Sequence, residues 1–155
     1  MVFPRDTQQW AIQELSAVRR LSVSLPWFGL CAGVAVRGYR WAALSLLPTQ
    51  TGGVLLALIL VGLALLCGLA TLHLANFTLR SWRWRAPALG AFIGVGESAA
   101  SLALTAAGQE RLGSTVAVLS DWPDVAMGVL LSRVVVVSLF ALALAVVVVV
   151  LRRAE

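Results

Sequence analysis

The sequence contains no lysine, only one histidine and only two cysteines among its 155 residues. Charged residues make up 12% of the chain, about half of the share that a soluble domain carries. Cys31 and Cys67 both lie in apolar runs and form no Cys-x-x-Cys motif, which argues against a zinc site and against a disulfide framework. We interpret both as buried thiols that pack as small apolar side chains.

Long apolar runs take the place of the missing charge. Residues 41–79 include no charged side chain apart from the histidine, and residues 134–151 include none at all. A helix of about 20 apolar residues crosses a bilayer core of about 30 Å. With 60% hydrophobic residues, the sequence therefore predicts an all-α, polytopic integral membrane protein in which residues 1–155 form a single membrane domain.

The positions of these runs predict a bundle of four transmembrane helices. The first span is the shortest, because Arg37 and Arg40 follow its apolar part, and we expect both side chains to extend to the membrane surface. Residues 41–48 are then expected to lie along the interface, and Pro87 is expected in the first turn of the third span. A short amphipathic helix at about 6–20 should lie on the membrane surface before the four spans, which we place at about 21–40, 54–77, 86–107 and 125–151.

The arginines predict a multi-pass protein of the cell membrane with both termini in the cytoplasm. With the N-terminus inside, the inner segments hold eight arginines, and the outer segments hold only Arg37, Arg40 and Arg111, with Arg133 near a span end. Exclusive use of arginine is typical of a GC-rich genome, and we expect a bacterial inner membrane.

Tryptophan and arginine cluster at the predicted span ends, where an indole ring stays partly wet. The segment 79–87 combines three arginines with two tryptophans and is predicted to contact anionic lipid headgroups. Nine residues between two spans cannot leave the membrane, so we exclude nucleic acid as a partner. The predicted lipid-interface anchors are Trp10, Arg80, Trp82, Arg83, Trp84, Arg85 and Trp122.

Glu97 is the residue most suggestive of function, because it lies near the middle of the predicted third span. A carboxylate at that depth must be paired, face a wet cavity or stay protonated. One interpretation is a proton or cation site. The other is a polar contact for packing or assembly, made through Ser98, Ser101 or a partner subunit.

Arg133 is the candidate partner of Glu97, but its expected height differs. It lies eighteen residues before Leu151, or about 27 Å from the inner end of the fourth span. Glu97 is about 10 Å lower by the same count. Pairing is possible at that offset, but the interpretation that we favour is that Arg133 anchors the outer edge of the fourth span.

Small residues at a spacing of four predict close helix packing. Such faces bring backbones together either within the chain, which we favour, or against another membrane subunit. Ser98 continues the pattern of the third span. The predicted packing residues are Gly29, Gly33, Ala64, Gly68, Gly90 and Gly94.

His73 is the only histidine, and it lies near the inner end of the second span with Asn76 three residues later. A lone histidine there could ligate the iron of haem or the magnesium of chlorophyll. Bis-histidine haem is excluded because a second histidine is lacking. We favour a hydrogen-bonded interfacial histidine, and we predict neither a cofactor nor a metal site.

The sequence contains no recognisable set of catalytic residues. A serine hydrolase needs a serine, a histidine and an acid within reach of one another. We expect His73 and Glu97 to differ in membrane depth by about 10 Å. We therefore expect no enzyme, but a non-catalytic subunit that packs within, stabilises or helps assemble a larger membrane complex, for which energy-converting complexes are natural hosts. Its partners would be lipids and other integral membrane subunits. The alternatives are a homo-oligomeric proton or cation transporter that uses Glu97, and a haem- or chlorophyll-binding subunit that uses His73.

Overall fold

A computed structural model describes residues 22–46, 52–112, 115–116 and 118–154. The amphipathic helix predicted at 6–20, with Trp10, lies outside these residues. The described chain forms four α-helices: α1 (Leu25–Leu46), α2 (Gly52–Leu74), α3 (Leu79–Ala106) and α4 (Trp122–Ala154). Between α3 and α4, the strands Arg111–Leu112 and Thr115–Val116 pair as an antiparallel hairpin, and a 3₁₀ turn at Leu119–Asp121 leads into α4.

Three of these helices are long and apolar enough to cross a membrane. They are α2, α3 and the stretch Leu119–Arg153 that contains α4. The chain is therefore a multi-pass membrane protein with a helical architecture, as its composition predicts. Helix α1 carries Arg37 and Arg40 inside its length, and its role as a fourth span stays a prediction.

The helix boundaries differ most from the predicted ones at the end of α1 and at the start of α3. Helix α1 continues to Leu46, so residues 41–46 extend a helix that the sequence predicts to end near residue 40. Helix α3 begins at Leu79, well before residue 86, and Pro87 lies inside it. Both differences have one cause: arginine ends an apolar run, but it is a good helix former and does not stop a helix.

Helix α3 lies between α1 and α4 and forms the centre of the bundle. Half of its most apolar stretch is buried, whereas only 11% of the corresponding stretch of α2 and of α4 is buried. The backbone of Gly29 faces Phe92 and that of Gly33 faces Gly96, so α1 and α3 run parallel. Gly90 faces Arg133 and Gly94 faces Leu130, so α3 and α4 run antiparallel.

The small residues of α1 and α3 are what allow this close packing. A methyl group at Gly33 would overlap the carbonyl oxygen of Ile93, and one at Gly96 would overlap that of Leu30. At Gly90 and Gly94 it would lie 2.6 Å from the Arg133 oxygen and 2.7 Å from the Leu130 Cα. These faces therefore pack within the chain, where backbones meet directly.

Helix α2 is attached to the bundle mainly through its C-terminal end. Its buried residues are Leu66, Ala70, His73 and Leu74. Nearer the other end, the Tyr39 hydroxyl donates a hydrogen bond to the Leu58 carbonyl (3.0 Å), and the Tyr39 ring faces Gly62. Ala64 is exposed and Gly68 faces open space, so this predicted packing face is not used among the described residues.

Candidate functional site

Glu97 and Arg133 form a two-point ion pair between α3 and α4. The Arg133 Nε lies 2.5 Å from Glu97 Oε1, and its Nη2 donates to Glu97 Oε2 at 3.0 Å. The Glu97 side chain is 1% exposed and that of Arg133 is 21% exposed. This fork geometry places both carboxylate oxygens on guanidinium donors and fixes the rotation of α4 against α3.

The pairing corrects the interpretation of Arg133 as an anchor at the outer edge of its span. The Arg133 side chain reaches Glu97 because α3 and α4 approach closely at Gly90 and Gly94. A count of residues along each span by itself does not take this close approach into account. The serines expected to hold Glu97 bind elsewhere. Ser98 Oγ lies 3.5 Å from the Ala126 carbonyl oxygen, and Ser101 belongs to a second ion pair.

Arg37 and Glu110 form this second pair, and both are buried. Arg37 Nη2 lies 2.5 Å from Glu110 Oε1, and Arg37 Nε donates to Glu110 Oε2 at 3.1 Å. The Ser101 hydroxyl donates to the same Oε2 (3.1 Å) and accepts from Arg37 Nη2 (3.0 Å). Arg37 Nη1 is buried and has no hydrogen-bond partner within the described part of the chain.

The turn after α3 brings Glu110 into the bundle. Gly108 adopts a left-handed backbone (φ 67°), a conformation that glycine adopts without strain at the end of a helix. The amides of Gln109 and Glu110 then both donate to the Leu104 carbonyl, at 2.8 and 3.2 Å. Glu110 is thereby folded back towards α1.

Both members of this pair are more buried than lone charges usually are. The sequence predicts that Arg37 extends to the membrane surface, but it is 1% exposed. Glu110 follows the turn after α3, where an acid is usually solvated, but it is 4% exposed. Since burial of an isolated charge is very unfavourable, Arg37 and Glu110 are buried only because each neutralises the other. Ser101 and Glu97 are four residues apart on α3, so this helix is joined to α1 and to α4 within one turn.

His73 is fully buried at the junction of α1, α2 and the turn that follows α2. Its Nδ1 lies 2.7 Å from the Ser22 carbonyl oxygen, which makes Nδ1 the protonated nitrogen. Phe28 stacks on the ring at 5.6 Å, and Phe77 contacts it at 5.0 Å. Nε2 has no partner among the described residues.

This environment does not fit a haem or chlorophyll ligand. A macrocycle must approach Nε2 along the plane of the imidazole, but His73 is 0% exposed. The packed rings of Phe28 and Phe77 leave it no free approach without rearrangement of α1 and of the turn. His73 is hydrogen-bonded, as the favoured interpretation has it, but it is buried inside the bundle.

The tryptophans predicted as lipid anchors divide into two groups. Trp82 is buried, and its Nε1 donates to the carbonyls of Leu74 (2.9 Å) and Phe77 (3.1 Å), so it closes the turn between α2 and α3. Trp122 Nε1 donates to the Ser98 carbonyl (3.0 Å) and joins the start of α4 to α3. Of these three described tryptophans, only Trp84, which is half exposed, keeps the accessibility of an anchor.

Two of the predicted anchor arginines, Arg80 and Arg83, are exposed, and Arg85 is partly buried. The Arg85 guanidinium lies 3.4 Å from the centre of the Phe77 ring and 4.5 Å from that of Trp84. This stacking is a favourable cation–π geometry. Among the described residues, no three histidine, cysteine or acidic side chains come together to hold a metal ion.

Replacement of Glu110 by glutamine tests the second ion pair. The neutral amide of Glu110→Gln cannot balance Arg37, which would remain buried and charged, so we expect the free energy of unfolding to fall by about 2 kcal/mol. Amide hydrogen exchange at residues 107–112 should become faster, because the turn loses its contact with α1. The matched control is Asp124→Asn, which changes an exposed acid in the first turn of α4. It should lower the free energy of unfolding by less than about 1 kcal/mol and leave exchange at residues 107–112 unchanged. Equal effects of the two substitutions would contradict this role of Glu110.

No protein-family model, no curated protein and no solved structure matches this chain. The functional argument therefore comes from the residues and contacts described above.

Proposed function

We propose that this chain is a non-catalytic subunit of a larger membrane complex, in which α2 packs against another integral membrane protein. The observation that carries the proposal is the sparse attachment of α2. From Gly52 to Leu65 no residue of this helix is buried, and most are exposed. A helix that is held mainly at its C-terminal end, with Tyr39 as a further contact at Leu58 and Gly62, leaves most of its surface for lipid or for a neighbouring chain.

The composition of that free surface favours a protein neighbour. The packing face of α2 contains Ala64 and Gly68 at a spacing of four, and nothing in the described chain fills the space beside Gly68. In α1 and α3 the same spacing brings backbones into direct contact. Because apolar surface alone gives no preference for protein over lipid, close backbone packing at small residues is what drives helix association in a membrane.

The two ion pairs support a structural role over a transport role. Glu97 and Glu110 each have both carboxylate oxygens bound by an arginine. A carboxylate that relays protons must exchange them with water, and in this geometry Glu97 would first have to leave Arg133. The arrangement is suited to holding three helices in register.

The proposal is tested by co-purification from membranes in a mild detergent, with partners identified by mass spectrometry. We expect the parent chain to purify with at least one other integral membrane protein in a fixed ratio. Gly68→Leu should reduce that ratio about tenfold or more, since a leucine keeps the two backbones apart. Gly128→Leu is the matched control, because Gly128 of α4 also faces open space.

A parent chain that purifies alone, as a monomer or as an oligomer of itself, would contradict the subunit proposal. If a partner is present but Gly68→Leu and Gly128→Leu retain it equally, the partner does not pack on the Ala64 and Gly68 face. Helicity measured by circular dichroism should be unchanged in both variants, because neither glycine contacts the described remainder of the chain.

A further inference from the structure

The end of the bundle where α3 begins and α4 ends carries a charge that the described residues do not balance. Its five arginines are Arg80, Arg83, Arg85, Arg152 and Arg153. The nearest described acid along α3 is Glu97, twelve residues after Arg85 or about 18 Å away, and Arg133 already binds it. Asp121 and Asp124 lie at the opposite end of α4. Within the described ranges, none of these five arginines forms an ion pair.

A surface pocket lies at this end, at the first turns of α3. It is lined by Thr78, Arg80, Ser81, Arg83 and Trp84. Thr78 is the N-cap residue of the helix but makes no side-chain capping bond, so its hydroxyl does not occupy the first-turn amides. The Ser81 hydroxyl donates back to the Thr78 carbonyl (2.7 Å) and keeps its oxygen as an acceptor.

Arg80 and Arg83 provide the charge of this pocket. Both are exposed, and neither forms an ion pair with a described residue. Three residues apart, they lie on neighbouring positions of one helix face. Two guanidinium groups so placed give several N–H donors that match the oxygens of a phosphate, and the first turn of the helix adds the positive end of its dipole.

Trp84 gives the pocket a fixed apolar wall. Its ring lies against the Arg85 guanidinium, which is itself stacked on Phe77. The Arg85 Nε is buried and has no hydrogen-bond partner in the described ranges, so Arg85 acts here as a stacking group. The exposed face of Trp84 is suited to the glycerol and upper acyl region of a lipid, where indole rings are enriched.

We propose that the pocket of Thr78, Arg80, Ser81, Arg83 and Trp84 binds the phosphate of an anionic phospholipid. Arg80 and Arg83 bind the phosphate oxygens, and the Thr78 hydroxyl provides a further donor. Trp84 packs beside the lipid backbone. A lipid is the expected source of the phosphate, because the pocket lies beside the turn that joins α2 to α3. Both of these helices are long and apolar enough to cross a membrane. This inference is independent of the proposed subunit role.

The test is lipid retention by the full chain, measured by native mass spectrometry from detergent with phosphatidylglycerol or phosphatidylcholine added. We expect one phosphatidylglycerol to be retained by the parent in preference to phosphatidylcholine. The Arg80→Gln/Arg83→Gln variant should bind it about 30-fold more weakly. The control, Arg152→Gln/Arg153→Gln, removes the same charge from two exposed arginines at the same end and should weaken binding much less.

Equal losses in the two double variants would overturn the proposal, because binding would then follow net charge without a built site. Equal retention of phosphatidylcholine would overturn it as well, since the pocket would not select an anion. A third arm uses inorganic phosphate without lipid. If phosphate alone binds as tightly as phosphatidylglycerol, the ligand is a free anion and the lipid assignment is wrong. Trp84→Ala should weaken phosphatidylglycerol binding but leave the weak phosphate binding unchanged.

Discussion

An Arg133→Leu variant is expected to lose about 3–5 kcal/mol of its free energy of unfolding. Glu97 would keep its position at 1% exposure but lose the donors to both of its oxygens. A buried carboxylate without a partner carries its full desolvation penalty, and in a membrane no water is near to relieve it. Unfolding by titration of a mild-detergent micelle with a denaturing detergent, followed by circular dichroism, measures the change.

The double variant Glu97→Leu/Arg133→Leu separates the ion pair from the general effect of mutation. It removes both charges together, so we expect it to recover most of the lost stability. Arg152→Leu is the control on the same helix, since Arg152 is exposed, and it should change the free energy of unfolding by less than about 0.5 kcal/mol. If the double variant is as unstable as Arg133→Leu, the loss does not arise from an unpaired Glu97.

A Gly33→Ala variant is expected to destabilise the fold by about 3 kcal/mol through a single methyl group. The new Cβ would overlap the Ile93 carbonyl oxygen and lie 2.7 Å from the Glu97 amide nitrogen. These are backbone atoms of a central helix, which cannot rotate away as a side chain can. Helices α1 and α3 would have to separate, and the contact between Arg37 and Ser101 would lengthen with them.

Gly38→Ala is the control for this substitution, because Gly38 lies on the same helix and faces open space. Alanine is the better helix former by about 1 kcal/mol, so this variant should be as stable as the parent or more so. Both are measured by the same detergent titration. Equal stabilities of Gly33→Ala and Gly38→Ala would show that α1 and α3 do not meet at Gly33.

The class of the fold follows from the sequence because it depends on composition. The apolar runs around residues 54–77 and 125–151 correspond to α2 and α4, and their length alone gives a membrane-crossing helix. The ends of the helices are less predictable. Charged residues mark the ends of apolar runs, but α3 includes Arg80, Arg83 and Arg85, since a helix continues until backbone geometry or a turn stops it.

The small residues of α1 and α3 can be identified from their spacing, but the spacing does not show which helix they pack against. Gly29 and Gly33 pack on α3, Gly90 and Gly94 pack on α4, and Gly68 packs on nothing in the described chain. Gly96, which contacts the Leu30 carbonyl, lies outside the spacing pattern, so the pattern does not predict its role in packing. The rotation of each helix decides which of its faces is used, and that rotation depends on all the helices together.

The ion pairs are the least predictable part of the site. Arg37 and Glu110 are 73 residues apart, and no local pattern relates them. Taken separately, each is expected in contact with water or headgroups, which is the usual position for a lone charge near a span end. One signal is present: Gly108, two residues before Glu110, marks a reversal of the chain, and this reversal turns Glu110 back towards α1.

The distance between Arg37 and Glu110 along the chain has a consequence for how the protein is made. Arg37 leaves the ribosome long before its acidic partner is synthesised, and until then it has no described residue to neutralise it. In a nascent chain that ends before residue 110, α1 should therefore stay near the aqueous boundary, where the Arg37 guanidinium is stable. We expect α1 to take its final position late, after residue 110 has been translated, so that α2 inserts before α1 is fixed in the bundle.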